Sequence, residues 1–489
     1  MNTGIIKYTL GKLLVILAGL MCLPLIVSFI YKENMIDVLS FSLPILISFG
    51  LGKYLQKKGD SSGDFYLKEA MFIVASGWII FSLFGSLPLL MTPEEYNTPI
   101  DAIFEMVSGF TTTGATVARS VESLPNSIIF WRSLSHLVGG MGILVFTLAI
   151  LPKTNRNSSL IMQAEVPGPT FGKITSKLSD TARALYIIYL IMTLVTVVFL
   201  LFGGMNLFDA LIHAMSTAGT GGFGNRDLSI GYYNSRYIEI VLSISMFAFG
   251  VNFNVYYYSI FRTLREGTDS EELRFYLGIT IGATILIFLN IFTTYADKGY
   301  ALSNSLFAVT SIMTTTGFVS ADFGTWPLFS RLILIFLMFV GGCAGSTAGG
   351  LKVSRVIILV KRAINQVRQS LHPRRITMTR LDKKKVDEET ETSVGKYFAL
   401  FVLIFVVLIL IVALDVNDFQ SAFTAVATTF NNVGPGIGEF GPLGSFAEIG
   451  LLSKISLTIA MLMGRLEIFP ILLMLSPYTY RDLRSKSKK

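Results

Sequence analysis

The sequence predicts an all-α integral membrane protein with two N-terminal helices followed by four fused helix–loop–helix repeats. Three observations predict this fold: the composition, a series of long apolar runs, and a short motif that recurs four times. Of the 489 residues, 52% are hydrophobic and only 15% are charged, whereas soluble domains carry about 25% charged residues. The formal net charge of +8 comes from basic residues between apolar runs. Soluble enzymes, disordered chains and nucleic-acid-binding proteins are therefore poor matches, and we expect no nucleic-acid partner.

Ten apolar runs are candidates for membrane-spanning helices, because a helix needs about 20 mostly apolar residues to cross a bilayer. They lie at residues 13–30, 36–52, 70–91, 128–151, 184–204, 236–261, 274–294, 328–350, 397–414 and 450–475. The first run follows Lys7 and Lys12 and resembles a signal peptide. It lacks a small-residue cleavage site and a second run follows at once, so we expect it to be retained.

Lysine and arginine predict the orientation, because loops rich in these residues stay on the cytoplasmic side. If the N-terminus is inside, 31 of the 40 Lys and Arg residues fall in the inner segments, which are 1–12, 53–68, 152–183, 262–274, 352–396 and 481–489. The charged run 374–396 mixes both signs and is expected to be a solvated inner loop. Ten spans place both termini in the cytoplasm, so we predict a multi-pass protein of the cell (inner) membrane.

Four loops on the predicted outer side carry one pattern that ends in a glycine. The copies are residues 101–115, 209–223, 304–318 and 421–435, and their glycines are Gly114, Gly222, Gly317 and Gly434. Thirteen residues before the glycine stands a residue typical of helix N-caps, namely Asp101, Asp209, Asn304 or Ser421. Six residues before it stands a hydroxyl residue, namely Ser108, Ser216, Ser311 or Thr428. A repeated pattern of this kind predicts four copies of one structural unit.

Each copy predicts a short helix that enters the membrane and turns back. About ten helical residues span about 15 Å, which is half of a hydrocarbon core of about 30 Å. The turn that follows must therefore lie within protein or beside water. Helix C-termini favour a cation, and carbonyl oxygens of extended backbone can replace its hydration shell. Four such units around one axis predict a cation pathway. Glu105 and His213 share one alignment column, but Ala308 and Ala425 fill it elsewhere, so no ring of charge is predicted.

At these residues the sequence resembles the Trk/Ktr/HKT superfamily of K⁺ transporters, whose members are similar to four fused copies of a K⁺ channel subunit. The resemblance covers residues 66–476 and is carried by the segments 108–116 (SGFTTTGAT), 216–225 (STAGTGGFGN), 313–318 (MTTTGF), 341–355 (GGCAGSTAGGLKVSR) and 431–438 (NNVGPGIG). The two additional N-terminal spans resemble the Trk branch (TrkH/TrkG type) rather than the shorter Ktr branch. The implied fold is K⁺ channel-like, with the repeats around a central pore.

The resemblance implies a selectivity filter formed by the residues just before and at each repeat glycine. These residues are Thr112, Thr113, Gly114, Thr220, Gly221, Gly222, Thr315, Thr316, Gly317, Asn432, Val433 and Gly434. Members with serine at the first glycine tend toward Na⁺, so glycine in all four copies favours K⁺. The fourth copy departs from the Thr–Gly pattern, and the filter is expected to be only approximately fourfold. K⁺ is the implied transported ion, and no cofactor is expected.

Two features of the later spans indicate a gate below the filter. Residues 341–354 contain five glycines, a poor composition for a helix, although a glycine every fourth residue is also typical of close helix packing. The resemblance implies a broken helix here whose loop obstructs the pore, with gate residues Gly341, Gly342, Gly345, Ser346, Gly349 and Gly350. Arg465 lies about 16 Å inside the tenth run. It is either a structural partner of carboxylates or carbonyls, or a cation below the filter that slows K⁺ passage, as the resemblance implies.

The predicted function is K⁺ uptake across the cytoplasmic membrane. The predicted units are residues 1–65 (the N-terminal extension), 66–182, 183–268, 269–393 and 394–489 (the four repeats). The resemblance also implies a homodimer and a cytosolic, TrkA-like nucleotide-binding regulatory subunit. Because this chain has no GxxxxGK[ST] loop, any nucleotide control is expected to come from that partner. The alternatives are a Na⁺ or mixed monovalent cation transporter, a cation-coupled symporter of the same architecture, or a receptor without transport. An enzyme is not expected, because the sequence contains no HExxH motif and no paired aspartates within the predicted spans.

Overall fold

A computed structural model describes residues 2–60, 67–92, 95–142, 178–261, 269–374, 377–477 and 479. Within these residues the chain forms seventeen α-helices and one two-stranded hairpin. The helices are α1 Thr3–Ile30, α2 Met35–Lys58, α3 Leu67–Gly85, α4 Pro99–Phe110, α5 Asn126–Gly140, α6 Leu178–Phe202, α7 Leu207–Gly219, α8 Arg236–Phe249, α9 Phe253–Phe261, α10 Glu271–Ile291, α11 Lys298–Met313, α12 Leu328–Val340, α13 Val353–Leu371, α14 Glu388–Val412, α15 Phe419–Phe430, α16 Leu451–Arg465 and α17 Phe469–Leu475. The inner segment 152–183 and the tail 481–489, which carry part of the orientation prediction, lie largely outside the described residues.

Six described helices are long and apolar enough to cross a membrane, namely α1, α2, α3 with the turn that follows it, α6, α10 and α14. The pair α8 and α9 forms a seventh candidate, bent by 86° at a short break. The break predicted within the run 328–350 is present, whereas the prediction of one continuous span at 450–475 is wrong. Helix α12 ends at Val340 before the glycine-rich segment, and α16 ends at Arg465 before two residues with positive φ, Glu467 and Ile468. Hydropathy detects apolar residues, but it does not detect where their backbone turns.

The first two helices form a hairpin that packs through glycines. A methyl group at Gly11 would lie 2.6 Å from the carbonyl oxygen of Gly52, and one at Gly52 would lie 2.8 Å from that of Gly11. Helix α1 also contacts α3 and α5 of the first repeat. Small residues let helix backbones approach closely, so the hairpin is a packed extension of the first repeat.

The four repeats form a closed circle. Each repeat contributes a long first helix, a short helix and a second helix, which are α3–α4–α5, α6–α7–α8, α10–α11–α12 and α14–α15–α16. Each second helix contacts the short helix of the following repeat, in the pairs α5–α7, α8–α11 and α12–α15. Helix α16 of the fourth repeat contacts α4 of the first. The short helices therefore surround one axis, as the predicted fold requires.

The short helices begin earlier than the sequence predicts. Their N-caps are Thr98, Asn206, Asp297 and Asp418, so the prediction of caps at Asp101, Asp209, Asn304 and Ser421 is wrong. The earlier side chains accept the backbone N–H three residues on in the first, second and fourth repeats. At Asp418, hydrogen bonds from the Ser421 hydroxyl and backbone lower the pKa of the carboxyl. The short helices have 12, 13, 16 and 12 residues, still too few to cross a bilayer.

Part of the charged run 374–396 is folded, which contradicts the expected solvated loop. Strand β1, Arg380–Leu381, pairs antiparallel with β2, Lys384–Lys385. Leu381 and Val386 are 4% and 2% exposed. These two apolar side chains fold the hairpin against the helices although most of the surrounding residues are charged.

Candidate ion pathway

The four segments that end in the repeat glycines share one backbone conformation. We call the segments 112–114, 220–222, 315–317 and 432–434 the repeat turns. Their first residue is left-handed, with φ of 55°, 56°, 56° and 57°, and their glycine has φ of 79°, 76°, 81° and 99°. The N–H of the middle residue donates to the carbonyl of the hydroxyl residue five positions earlier, at 2.7–2.9 Å in every copy. The fourth copy therefore keeps the shared backbone, although its sequence is Asn-Val-Gly.

The repeat turns meet in a closed ring. A methyl group built on each repeat glycine would collide with the carbonyl oxygen of the middle residue in the next repeat turn. The pairs, each written as glycine and then carbonyl, are Gly114–Gly221, Gly222–Thr316, Gly317–Val433 and Gly434–Thr113. The structure thus brings all twelve predicted filter residues together. The positive φ and the close contact both require glycine at these four positions.

Side-chain support of the ring is not fourfold. In the first repeat Thr111 and Thr113 hydroxyls lie 2.8 Å apart, and Thr314 and Thr316 repeat this contact at 2.7 Å in the third. The second repeat has glycine at both equivalent positions. The fourth uses Asn432 instead, whose Nδ2 donates to the Thr113 hydroxyl at 2.9 Å. The ring is therefore fourfold in its backbone and asymmetric in its side chains, as the departure in the fourth copy predicts.

At the end where the chain leaves the repeat glycines, the ring opens into a cavity of about 130 Å³. All four repeat glycines line this cavity, together with Arg132 and Asp227. On the other side, the C-termini of α4, α7, α11 and α15 lead into the repeat turns, and their partial negative charges favour a cation. In the described part of the chain, no group of three or more His, Cys, Asp or Glu residues can hold a metal ion, so backbone and hydroxyl oxygens supply the polar groups.

The predicted gate segment is a loop pressed against two repeat turns. We call residues 341–352 the glycine-rich loop. The N–H of Gly349 donates to the Thr315 hydroxyl at 2.6 Å, and that of Gly350 donates to the Asn431 carbonyl at 3.1 Å. Positive φ at Gly341, Gly345 and Gly350 allows the loop to fold back. Gly342 and Ser346 also lie in this compact loop, where the Ser346 hydroxyl donates to the Cys343 carbonyl at 2.6 Å.

Arg465 is a structural partner of backbone carbonyls, which is one of the two alternatives that the sequence leaves open, and it lies beside the glycine-rich loop. Its guanidinium donates to the Thr347 carbonyl of that loop at 2.7 Å. It also donates to the carbonyls of Gly139 and Gly140, at the end of α5, at 2.7 and 2.6 Å. Arg465 is 7% exposed. A buried cation therefore connects the loop to the first repeat.

The second helices of the repeats all end at a similar place in their repeat, which the sequence indicates only for the third. They end at Gly140, Phe249, Val340 and Arg465. The glycine-rich loop fills the break after α8, where Cys343 N–H donates to the Gly250 carbonyl at 2.9 Å and Phe253 N–H donates to Gly345 at 3.1 Å. Apolar residues on both sides of each break conceal it from hydropathy.

Two charged residues that hold the loop are not indicated by the sequence. Glu272 at the start of α10 is 6% exposed and accepts the N–H groups of Ala344 and Ser354, at 2.7 and 3.0 Å. Lys352 is 2% exposed, and its ammonium donates to the Ala348 carbonyl within the loop. Glu272 belongs to no motif, because its role depends on contacts with residues 72 and 82 positions away, whereas Lys352 lies within the segment 341–355 and contacts the loop locally. Glu272 therefore holds both ends of the loop.

The four short helices surround one axis, a ring of backbone carbonyls lies at their ends, and a loop packs against that ring. This arrangement defines a polytopic membrane transport protein with four pore repeats. The family model TrkH, described as a cation transport protein, matches residues 40–479. The chain belongs to this TrkH family. The predicted superfamily and its Trk branch are thereby confirmed, as is the all-α membrane fold, and the family is one of transporters rather than enzymes.

Named relatives match the chain over nearly its whole length. It is 34% identical over 487 residues to the Trk system potassium uptake protein TrkH of Halomonas elongata, covering 98% of this chain and 100% of the relative. It is 34% identical over 488 residues to the Trk system potassium uptake protein TrkG of Escherichia coli, covering 99% and 100%. The crystal structure of the potassium transporter TrkH from Vibrio parahaemolyticus has a TM-score of 0.88 and 31% identity, covering 98% and 100%.

Proposed function

We propose that this protein mediates K⁺ uptake across the cytoplasmic membrane, with the repeat turns as its selectivity filter. The observation that carries the proposal is the closed ring, in which each repeat glycine faces the carbonyl of the next repeat turn. The names of the relatives, which are Trk system potassium uptake proteins, support K⁺ as the ion. Rings of carbonyl oxygens replace the hydration shell of K⁺ in filters of this kind.

Entry is driven by the membrane potential. An inside-negative potential contributes about 2.3 kcal/mol per charge per 100 mV, and the C-termini of the short helices stabilise the dehydrated ion. The buried carboxylates of Glu105 and Glu272 both accept fixed backbone N–H groups, which suits a structural role better than a proton relay. We therefore propose channel-like uniport rather than symport.

The glycine-rich loop is the proposed gate. It lies against the third and fourth repeat turns, through Gly349 and Gly350, and it is held by Glu272 and Arg465. Positive charge at Arg465 and Lys352 adds an electrostatic barrier to a cation below the ring. Movement of the loop away from the repeat turns removes the steric obstacle, so the contacts that hold the loop set the flux.

Flux into liposomes tests the K⁺ proposal. Purified protein should take up Rb⁺, a tracer for K⁺, into liposomes with an inside-negative potential, and K⁺ should compete more strongly than Na⁺. Protein-free liposomes and the Gly222→Ala variant, whose added methyl collides with the Thr316 carbonyl, are the controls. Na⁺ entry as fast as Rb⁺ entry would establish the mixed-cation alternative, and uptake abolished by collapse of a proton gradient would establish a symporter. Restored growth at low K⁺ in a host without its own uptake systems is the cellular counterpart.

We propose a homodimer that pairs through α13. Val360, Ile364, Val367 and Leu371 recur at helical spacing on this helix and are 45–71% exposed. Lys361, Arg362 and Arg368 on the same helix make burial in lipid unfavourable, so a second copy is the proposed cover. A Val367→Asp variant should shift the purified protein from dimer to monomer in light scattering. An unchanged dimer would rule out this surface.

The remaining proposals concern the cytoplasmic side. Both termini are proposed to face the cytoplasm, in agreement with the distribution of Lys and Arg. The proposed partner is a cytosolic nucleotide-binding subunit of TrkA type, and the basic α13 and hairpin β1–β2 are its proposed contact. Labelling of an engineered cysteine at Asn2 from only the cytoplasmic side tests the orientation. Co-purification of a candidate subunit, lost when Lys383, Lys384 and Lys385 become Glu, tests the contact.

A further inference from the structure

A buried ion pair distinguishes the first repeat from the other three. Glu105 on α4 and Arg132 on α5 are 0% and 1% exposed, with 2.7 Å between Oε1 and a terminal guanidinium nitrogen. The Arg132 Nε donates to the same oxygen at 2.8 Å. In the other three repeats, the positions equivalent to Glu105 are occupied by His213, Ala308 and Ala425. A charged pair is thus present behind one repeat turn of the four.

The pair holds the chain that leaves the first repeat turn. Glu105 accepts the Val117 N–H at 2.9 Å and the Thr116 hydroxyl at 3.0 Å. Thr116 and Val117 follow Gly114 by two and three residues. Because Gly114 faces the Gly221 carbonyl and Thr113 faces Gly434, the position of this segment affects two of the four contacts in the ring.

The same pair reaches the second repeat turn. The Arg132 guanidinium lies over the Phe223 ring, 4.1 Å from its centroid, and Phe223 directly follows Gly222. His136, one turn further along α5, stacks on Phe223 at 4.2 Å. An arginine on an aromatic face is a directional contact. The ion pair therefore connects the outer ends of two adjacent repeat turns.

In the other three repeats, the segment that follows the repeat turn is held by hydrogen bonds in which at most one partner is charged. In the second repeat the Asn225 amide donates to Asp209 at 2.6 Å, and in the third the Ser320 hydroxyl donates to Asn304 at 2.9 Å. In the fourth the Ile437 N–H donates to the Thr424 hydroxyl at 3.1 Å. Every repeat thus restrains the segment that follows its repeat turn, and among the described residues only the first repeat does so with a buried ion pair that also contacts a neighbouring repeat.

We propose that Glu105 and Arg132 are positioning residues for ion selectivity, because they fix the spacing of the first and second repeat turns through Val117 and Phe223. This proposal rests on the proposed K⁺ filter. A looser ring can contract around a smaller ion, so loss of the pair should favour Na⁺. The charge of the pair is zero in total, and its effect is therefore on geometry rather than on cation attraction.

The test measures Na⁺ and Rb⁺ uptake by the same liposomes. Glu105→Gln should raise the ratio of Na⁺ to Rb⁺ uptake about tenfold, which corresponds to about 1.4 kcal/mol, while Rb⁺ uptake persists. The matched control is Glu448→Gln, which removes the same charge from an exposed outer pair with Arg119 and should leave the ratio unchanged. A wild-type protein without Rb⁺ uptake would refute the proposed function instead, so the two failures are distinguishable.

Two further variants keep the test decisive if an unpaired buried charge impairs folding. The double variant Glu105→Ala/Arg132→Leu removes both charges and places at position 105 the alanine found in the fourth repeat. Phe223→Leu leaves the ion pair intact and removes the ring under the guanidinium. Both should elute as the wild type does and show a raised Na⁺ to Rb⁺ ratio, with the smaller change in Phe223→Leu. A wild-type ratio in both folded variants would overturn the proposal.

Discussion

Replacement of Arg465 by alanine should raise the ratio of open to closed glycine-rich loop, by a factor that follows from the energy of one hydrogen bond. Of the hydrogen bonds that the guanidinium donates to the carbonyls of Thr347, Gly139 and Gly140, the first reaches the glycine-rich loop. The other two go to Gly139 and Gly140 of the first repeat and need not break when the loop moves. A hydrogen bond with a charged partner contributes about 1.5–3 kcal/mol. Its loss should raise the ratio of open to closed loop about 10- to 150-fold.

The assay is the initial rate of Rb⁺ uptake into liposomes at a fixed potential. Arg465→Ala should be faster than the wild type, up to the rate at which the repeat turns limit flux. Arg465→Lys is the informative control, because it keeps the positive charge while a single ammonium cannot bridge the loop and the first repeat as the planar guanidinium does. Faster uptake by the lysine variant as well attributes the effect to the lost contact rather than to the lost charge.

A specific result would refute this reasoning. If Arg465→Ala has the wild-type rate, with unchanged oligomeric state and thermal stability, the bond to Thr347 does not hold the loop closed. If only Arg465→Ala is faster and Arg465→Lys equals the wild type, the barrier is electrostatic and the contact is incidental. Both variants are therefore measured in the same liposome preparation.

Three other substitutions test separate parts of the structure. Gly114→Ser places a side chain at φ 79° against the Gly221 carbonyl, so the Na⁺ to Rb⁺ uptake ratio should rise; an unchanged ratio would contradict the role of the ring. Glu272→Gln weakens the contacts to Ala344 and Ser354, so Rb⁺ uptake should increase several-fold without a change in that ratio, because the loop lies outside the ring. Gly11→Leu overpacks the α1–α2 contact and should destabilise the protein by about 1–3 kcal/mol, measured as a lower melting temperature, while ion selectivity stays at the wild-type value.

Much of the pathway could be predicted from sequence because each repeat turn is a local structure. The glycine, the hydroxyl residue six positions earlier and the short apolar helix lie within about fifteen residues of one another, so periodicity and spacing are sufficient to identify the unit. The high proportion of glycine at 341–354 likewise indicates that the helix stops there. Both features depend on backbone preferences of neighbouring residues.

Other features could not be predicted because they depend on residues far apart in the chain. The predicted span at 450–475 is interrupted, and the hydrogen-bond partners of Arg465 lie 118, 325 and 326 positions away in the sequence. Glu105 received no role in the sequence, since its alignment column carries no shared charge. Its partner Arg132 lies on another helix, 27 positions away.

By itself the sequence determined that the chain is a membrane protein of four related units. Hydropathy indicates which segments lie in lipid, and motif spacing indicates the local backbone conformation of each unit. Only the tertiary structure decided which carbonyl faces which repeat glycine, what Arg465 binds, and where the second helices break. The ring contacts join neighbouring repeats, and the fourth repeat closes against the first through α16 and α4. Circular closure joins residues hundreds of positions apart, and a pattern within one repeat contains no information about that distance.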